Sequence, residues 1–228
     1  MRTFSIRREV SLALAVYGLY LFVRALVLRG DGRARARKNA ERIVAAQERL
    51  GIDLEPALQH VVLRFPRTVH VLNLGYAAFN VTLTVGWLVA LYRRRDPGYH
   101  ELRRTCQGAY LAAQPIFLGF PAEPPRALEG FVDTMSEVSG FDLEHPFLVQ
   151  LYNPVAAMPS LHVAFAVITG AAIAERTESR VVKGAAHSYP ALVSFIVAAT
   201  GNHYVLDAVA GAALGLGSRR CLSSRGHK

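Results

Sequence analysis

Six stretches of this chain, at about residues 10 to 28, 69 to 92, 105 to 122, 158 to 174, 185 to 202 and 203 to 218, are apolar runs divided by charged segments. Several come near the roughly 20 residues that a helix needs to cross a bilayer. A soluble helical bundle would show a polar stripe on each helix, and Val81 to Leu91 and Ala164 to Ala174 show almost none. A hydrophobic content of 52% and a mean hydropathy of +0.23 are apolar for a soluble protein of net charge +9. The pattern predicts an all-α, polytopic membrane helical bundle with about six transmembrane helices. The last two runs are divided only by Thr200-Gly201-Asn202, and the final one is short.

Two histidines sit at the boundaries of these runs, His162 in Met158-Pro159-Ser160-Leu161-His162 and His203 in Gly201-Asn202-His203-Tyr204-Val205-Leu206-Asp207. Ionisable groups are costly in a bilayer, so such residues point to function and call for a named partner. His203 has one four residues on, Asp207, which a helix would place on the same face. A carboxylate on one ring nitrogen leaves the other as an outward lone pair. That arrangement can attack phosphorus and split one displacement into two through a phosphohistidine. His162 would act as general acid and base. Pro159 suits a helix start, and Ser160, Asn202 and a nearby cation are the candidates to hold phosphate oxygens. The alternative for either histidine is a hydrogen bond between helices.

Asn153-Pro154, Ala157 to Ala164 and Thr200 to Gly211 resemble the second and third signatures of the phosphatidic acid phosphatase type 2 superfamily. More narrowly they are similar to its inositol phosphorylceramide synthase-like branch. Leu50-Gly51, Glu55-Pro56-Ala57-Leu58-Gln59, Asn73, Tyr76, Pro124-Pro125-Arg126 and Gly130-Phe131-Val132-Asp133 also fit that branch. The resemblance implies His203 as nucleophile, Asp207 as its orienting partner and His162 as acid or base. It also implies a phosphatidic acid phosphatase type 2-like fold.

The departures are specific. The lipid phosphatases usually open with a lysine followed by Arg-Pro, and this chain has no lysine between Lys38 and Lys183. Leu161 stands at the glycine of their Ser-Gly-His, and Val197 replaces the arginine six residues before the third-signature histidine, His203. Both changes remove phosphate ligands. Arg126 is the best substitute cation, because a planar fork matches phosphate oxygens; it could equally anchor a helix end at lipid headgroups. Asn80 stands where many relatives of the branch would carry histidine.

Charge between the runs predicts orientation, since short cytoplasmic loops collect Lys and Arg. Arg93-Arg94-Arg95 with Arg103-Arg104, then Arg176, Arg180 and Lys183, then Arg219-Arg220, Arg225 and Lys228 would lie inside. Arg126, Asp133, Ser160, His162, His203 and Asp207 would share the extracytoplasmic side. Arg29, Arg33, Arg35, Arg37, Lys38 and Arg42 break the rule by following the first run. The stretch Ala40 to Leu63 has helical apolar spacing at Ile43, Val44, Leu50, Leu54 and Leu58, and so reads as a membrane-surface helix or a solvated connecting helix. Arg2, Arg7 and Arg8 before the first run, with no small-residue cleavage site after it, predict an uncleaved anchor.

The loop from Pro121 to Pro154 carries Glu123, Glu129, Asp133, Glu137, Asp142 and Glu144 beside Phe131, Phe141, Phe147 and Tyr152. Such a loop could cap the site and hydrogen-bond a polyol. Basic clusters that flank apolar runs, with no recognition motif, argue against nucleic acid as a partner. Cys106 and Cys221 lie far apart and indicate neither a disulfide nor a metal site, and no cofactor is implied. The chain reads as one integral membrane domain: residues 1–39 form an anchor and basic segment, 40–218 the catalytic region and 219–228 a basic tail. The predicted activity is transfer of a phosphoryl-containing headgroup between a lipid phosphate substrate and an alcohol such as inositol, at the plasma membrane. The alternatives are a lipid phosphate or polyprenyl diphosphate phosphatase and, in another class, a non-catalytic lipid-binding or transport protein.

Overall fold

A computed structural model describes residues 4–143, 145, 147, 150 and 152–223. Glu144, Arg2, Arg225 and Lys228 lie outside the described residues. The chain is all-α: α1 Ile6–Val27, α2 Gly32–Leu50, α3 Glu55–Val62, α4 Pro66–Leu74, α5 Asn80–Arg93, α6 Gly98–Gly119, α7 Thr134–Glu137, α8 Leu161–Ala174, α9 Arg180–Ala199 and α10 Val205–Leu222. A π-helical turn, Gly75–Phe79, joins α4 to α5, and a 3-10 turn covers Pro125–Ala127.

Each of the six apolar runs falls on helix, but six spans do not follow from length and composition. Among the described residues, α1 (22 residues, mean hydropathy 2.0) and α9 (20 residues, 1.3) qualify alone, and Pro66–Ala78 with Asn80–Arg93 makes a third if that pair, bent by 42°, is one span. The physical reason lies in the other three. Helix α6 carries Glu101, Arg103 and Arg104 in its first turns and α10 ends on Arg219 and Arg220. Helix α8 has 14 residues, about 21 Å of rise against a hydrocarbon core of roughly 30 Å.

Between charged first and last turns helix α1 is apolar on its outer side as well, with Leu14 and Phe22 outward and only Val23 and Val27 buried. That suits lipid as solvent. Helix α8 is the opposite case, buried along most of its length between α5, α6, α9 and α10. Small residues make this possible, because close backbone approach supplies the packing that apolar burial cannot supply in lipid. A Cβ on Gly170 would stand 2.4 Å from the Ala186 carbonyl oxygen, and one on Gly211 would stand 2.2 Å from that of Ser160. The second contact seats the start of α10 on the start of α8, which brings the two histidine motifs together.

The two ends of the bundle differ. One end holds ion pairs between helices: Arg103 to Glu9 at 2.8 Å, Arg176 to Asp96 at 3.7 Å, and Arg219 to Glu175. The other end holds α2, α3, α7 and the 120–158 segment. Helices α2 and α3 are separate, broken at Gly51, whose φ of +66° is the left-handed helix stop that favours glycine. One face of them packs on the bundle and another is open. Ala40 and Ile43 pack on Ala122, Ala157 and Tyr204, while Leu50 and Leu54 are exposed. The basic stretch sits at this end, where Arg37 donates to the Ala127 carbonyl at 2.5 Å and lies 3.8 Å from Glu123.

Candidate active site

A cavity of about 400 Å³ opens among α1, the π-helical turn, the 120–158 segment and the starts of α8 and α10. His162, His203, Arg126 and Asn202 line it; Ser160 and Asp207 do not.

His203 belongs to the turn before α10, not to the helix. Helix α10 starts at Val205, so the expected one-face pairing of His203 and Asp207 is replaced by a fold-back. Asp207 Oδ2 accepts the Tyr204 backbone N–H at 3.0 Å, capping the helix, and lies 3.4 Å from His203 Nδ1. The shorter contact of Nδ1 is the Ala157 carbonyl oxygen at 2.9 Å. Both partners of Nδ1 are acceptors, so Nδ1 carries the proton. The lone pair therefore falls on Nε2, the nitrogen left for the cavity. Asp207 is fully buried, and its Oδ1 has no hydrogen-bond partner among the described residues.

The two imidazole ring centres are 5.6 Å apart, and Tyr76 packs on His162 at 4.5 Å. Ser160 is fully buried and its hydroxyl caps α8 by accepting the Val163 N–H at 3.4 Å. The helix starts at Leu161, two residues later than a Pro159 start would give, because Ser160 takes the cap. Asn80, whose role the sequence left blank, donates to the His162 carbonyl at 2.9 Å and accepts from the Tyr189 hydroxyl at 2.7 Å.

Arg126 is held at three atoms. Its backbone N–H donates to the Gly201 carbonyl at 2.8 Å, Nη1 donates to Asn202 Oδ1 at 3.2 Å, and Nε lies 3.7 Å from Asp133 Oδ2. Asn202 in turn donates to Thr200 Oγ1 at 2.9 Å, so its amide orients the guanidinium. Among the described residues Arg126 is the sole Lys or Arg side chain lining the cavity.

The sequence pattern of the PAP2 superfamily matches residues 41–220. The chain belongs to the PAP2 superfamily. PAP2 proteins are phosphatases or phosphotransferases acting on phosphate esters, and this chain is an enzyme of that kind. The match reaches the superfamily without selecting the inositol phosphorylceramide synthase-like branch. No curated protein and no solved structure matches the chain.

The PAP2 histidine turn rests on residues that sequence reasoning assigned no role. Glu55 accepts the Val205 N–H, and Gln47 donates to Glu55 at 3.1 Å while accepting the Leu206 N–H at 2.9 Å. Both are buried. These groups occupy the orphan amides that open α10, and a carboxylate there complements the helix dipole. Gln59 holds Val132 through both its amide atoms, at 2.9 and 3.0 Å. Asn73 donates to the Thr134 carbonyl at 2.6 Å, and Thr134 donates to the Thr200 carbonyl at 3.0 Å. Glu55, Gln59 and Asn73 had a signal, as polar residues in the segments that carried the resemblance. Gln47 and Tyr20, which lines the cavity, had none.

Proposed function

We propose that this PAP2 protein is a phosphotransferase that moves a phosphoryl-containing headgroup between a lipid and an alcohol such as inositol, through a phosphohistidine on His203. The observation that carries the mechanism is the fixed Nδ1–H of His203, which leaves Nε2 nucleophilic beside a second imidazole. In the first half, Nε2 attacks phosphorus, the bond to the leaving alcohol breaks, and that oxygen takes a proton from His162. An anionic phosphate beside the ring favours the protonated imidazole that this step needs. In the second half, the acceptor hydroxyl gives its proton to His162 as its oxygen bonds phosphorus and the P–N bond breaks. Arg126 holds the phosphate oxygens, with Asn202 setting the plane of its fork. Ser160 acts through the helix cap instead of through phosphate.

Charge supports a phosphodiester over a monoester. A lone guanidinium, itself beside Asp133, balances the single charge of a diester better than the double charge of a phosphomonoester or the larger charge of a diphosphate. In the same reading the six helical runs are six spans, with α6, α8 and α10 completing the set inside the bundle. The histidine end then faces the extracytoplasmic side of the plasma membrane, and the end with Arg93, Arg103, Arg176 and Arg219 faces inward.

The test uses purified full-length protein in detergent with a headgroup-labelled phospholipid, with and without myo-inositol, beside His203→Ala. Inositol-dependent transfer of the labelled headgroup to inositol, absent from the variant, supports the transferase. Release of the phosphorylated headgroup to water, indifferent to inositol, makes the protein a hydrolase instead, and normal turnover by His203→Ala overturns the phosphohistidine.

A further inference from the structure

Helix α1 lies before the region that the superfamily pattern covers, yet it helps to build the cavity. Arg24 Nε donates to the Tyr152 carbonyl at 2.9 Å, and the Asn153 backbone N–H donates to the Tyr20 hydroxyl oxygen at 2.5 Å. These two contacts pin the segment 152–154 to α1. Tyr20 and Asn153 both line the cavity that also holds His162, His203 and Arg126.

The polar atoms left over at this wall are informative. Asn153 is 5% exposed, and its Oδ1 accepts the Val155 N–H at 3.2 Å, which fixes the orientation of the amide. Its Nδ2 is buried and has no hydrogen-bond partner among the described residues. Such an orphan is costly, and in native structures it calls for an explanation. The Tyr20 oxygen is used as an acceptor, so its own proton is free to donate, and no described residue takes it. Tyr20 and Asn153 thus bring donors with no formal charge to the wall of a cavity whose lone guanidinium is engaged by Asn202 and Asp133, the Tyr20 proton uncommitted and the Asn153 amide N–H buried within the wall.

We propose that Tyr20 and Asn153 form an uncharged subsite that receives a hydroxyl-bearing group beside the phosphate. Neutral donors complement the lone pairs of a neutral oxygen, whereas the phosphate oxygens are matched by Arg126. The hydroxyl comes either from the acceptor alcohol or from the leaving headgroup of the donor lipid. The inference rests on the transferase reading only for the first of these sources. It makes α1 a determinant of substrate choice as well as an anchor.

The experiment compares wild type, Tyr20→Phe and Asn153→Ala as full-length protein in detergent. In the acceptor arm, labelled phospholipid is turned over in the presence of myo-inositol, and the ratio of inositol adduct to hydrolysed headgroup is measured. That ratio is independent of how much of a variant is folded. In the donor arm, kcat/KM for phosphatidylinositol is divided by that for phosphatidic acid. Each substitution should lower one ratio by about tenfold, the loss associated with one hydrogen bond. A fall in the first identifies the acceptor as the source, and a fall in the second identifies the headgroup. Ratios unchanged in both arms, with or without loss of total turnover, overturn the subsite and leave the two residues as phosphate contacts or packing. A wild type that makes no inositol adduct removes the transferase reading, and the donor arm still decides the subsite.

Discussion

The two ends of the bundle are both polar, and they use polarity differently. At the end away from the cavity, long cationic side chains meet carboxylates: Arg103 with Glu9 in the interior, Arg176 with Asp96, and Arg219 with a Glu175 side chain that is 52% exposed. At the cavity end, short side chains meet backbone groups in the interior: Asn73 with Thr134, Thr134 with Thr200, Gln47 and Glu55 with the opening amides of α10. An exposed ion pair can rearrange at little cost, since water and salt replace it. A buried amide or carboxylate that loses its partner cannot be re-solvated without opening the fold. The first kind of polarity ties helices together. The second kind specifies where a ring nitrogen points.

The largest effect expected from this contrast is at the proposed nucleophile. His203→Ala should lower turnover by at least about 10⁴-fold, with a melting temperature close to wild type. Retention of helical circular dichroism alongside the loss separates chemistry from misfolding. Asp207→Asn comes next, and the geometry moderates it. In a triad whose carboxylate alone holds the imidazole tautomer, the amide costs about 10⁴-fold. Here the Ala157 carbonyl makes the shorter contact to Nδ1, so a loss nearer 10²- to 10³-fold is expected. Turnover within tenfold of wild type would show that Asp207 is a helix cap and that the carbonyl alone orients the ring.

How much of this was legible in the sequence differs by residue. The histidines stood out because an ionisable side chain at the edge of an apolar run has few structural uses, and Asp207 was found by spacing. The geometry behind the spacing was misjudged, because Asn202 and Tyr204 hold a non-helical turn and α10 opens only at Val205. Ser160 was readable as a helix start but not as a buried cap that leaves the cavity. The apolar runs were readable as helices, whereas the number of spans was not, since α8 is short and α6 begins with charge. Gln47 and Tyr20 were invisible. The contacts that place them at the site, Gln47 with Leu206 and Tyr20 with Asn153, span more than a hundred residues, and no local pattern marks a contact of that kind. Glu55 and Asn73 were flagged by family resemblance without any hint of what they touch.

Glu55 tests whether the cavity-end network matters for chemistry or only for folding. Its two oxygens accept two N–H groups, from Val205 and Gln47. Glu55→Gln must turn an amide donor towards one of them. Turnover should fall by about tenfold, with a readable pH signature. Burial pushes the Glu55 carboxyl above its ordinary value of 4.5, so the folded state binds its proton more tightly than the unfolded chain does. That contribution to stability is complete below the ordinary value and is lost as pH rises towards the raised one. Thermal melts of wild type and Glu55→Gln should lie closest at the acid end of that interval, where both side chains are neutral, and wild type should lose stability relative to the variant as pH rises if the carboxylate is the cause. Parallel curves would assign the effect to packing.

The smallest effect is expected at the far end, and it is the sharpest check on the contrast. Arg219 and Glu175 pair with side chains 20% and 52% exposed, so Arg219→Ala should cost about 0.2–1 kcal/mol. For a chain of this length that is a melting shift of about 0.4–4 °C, and turnover should stay within twofold of wild type. The pair lies at the C-terminal ends of α8 and α10, whose N-terminal ends carry the two histidines. If Arg219→Ala lowers turnover as much as Glu55→Gln does, the two ends are mechanically coupled through α8 and α10. The exposed pair would then help to set the distance between the imidazoles, and the division between tying helices and aiming a nitrogen would fail.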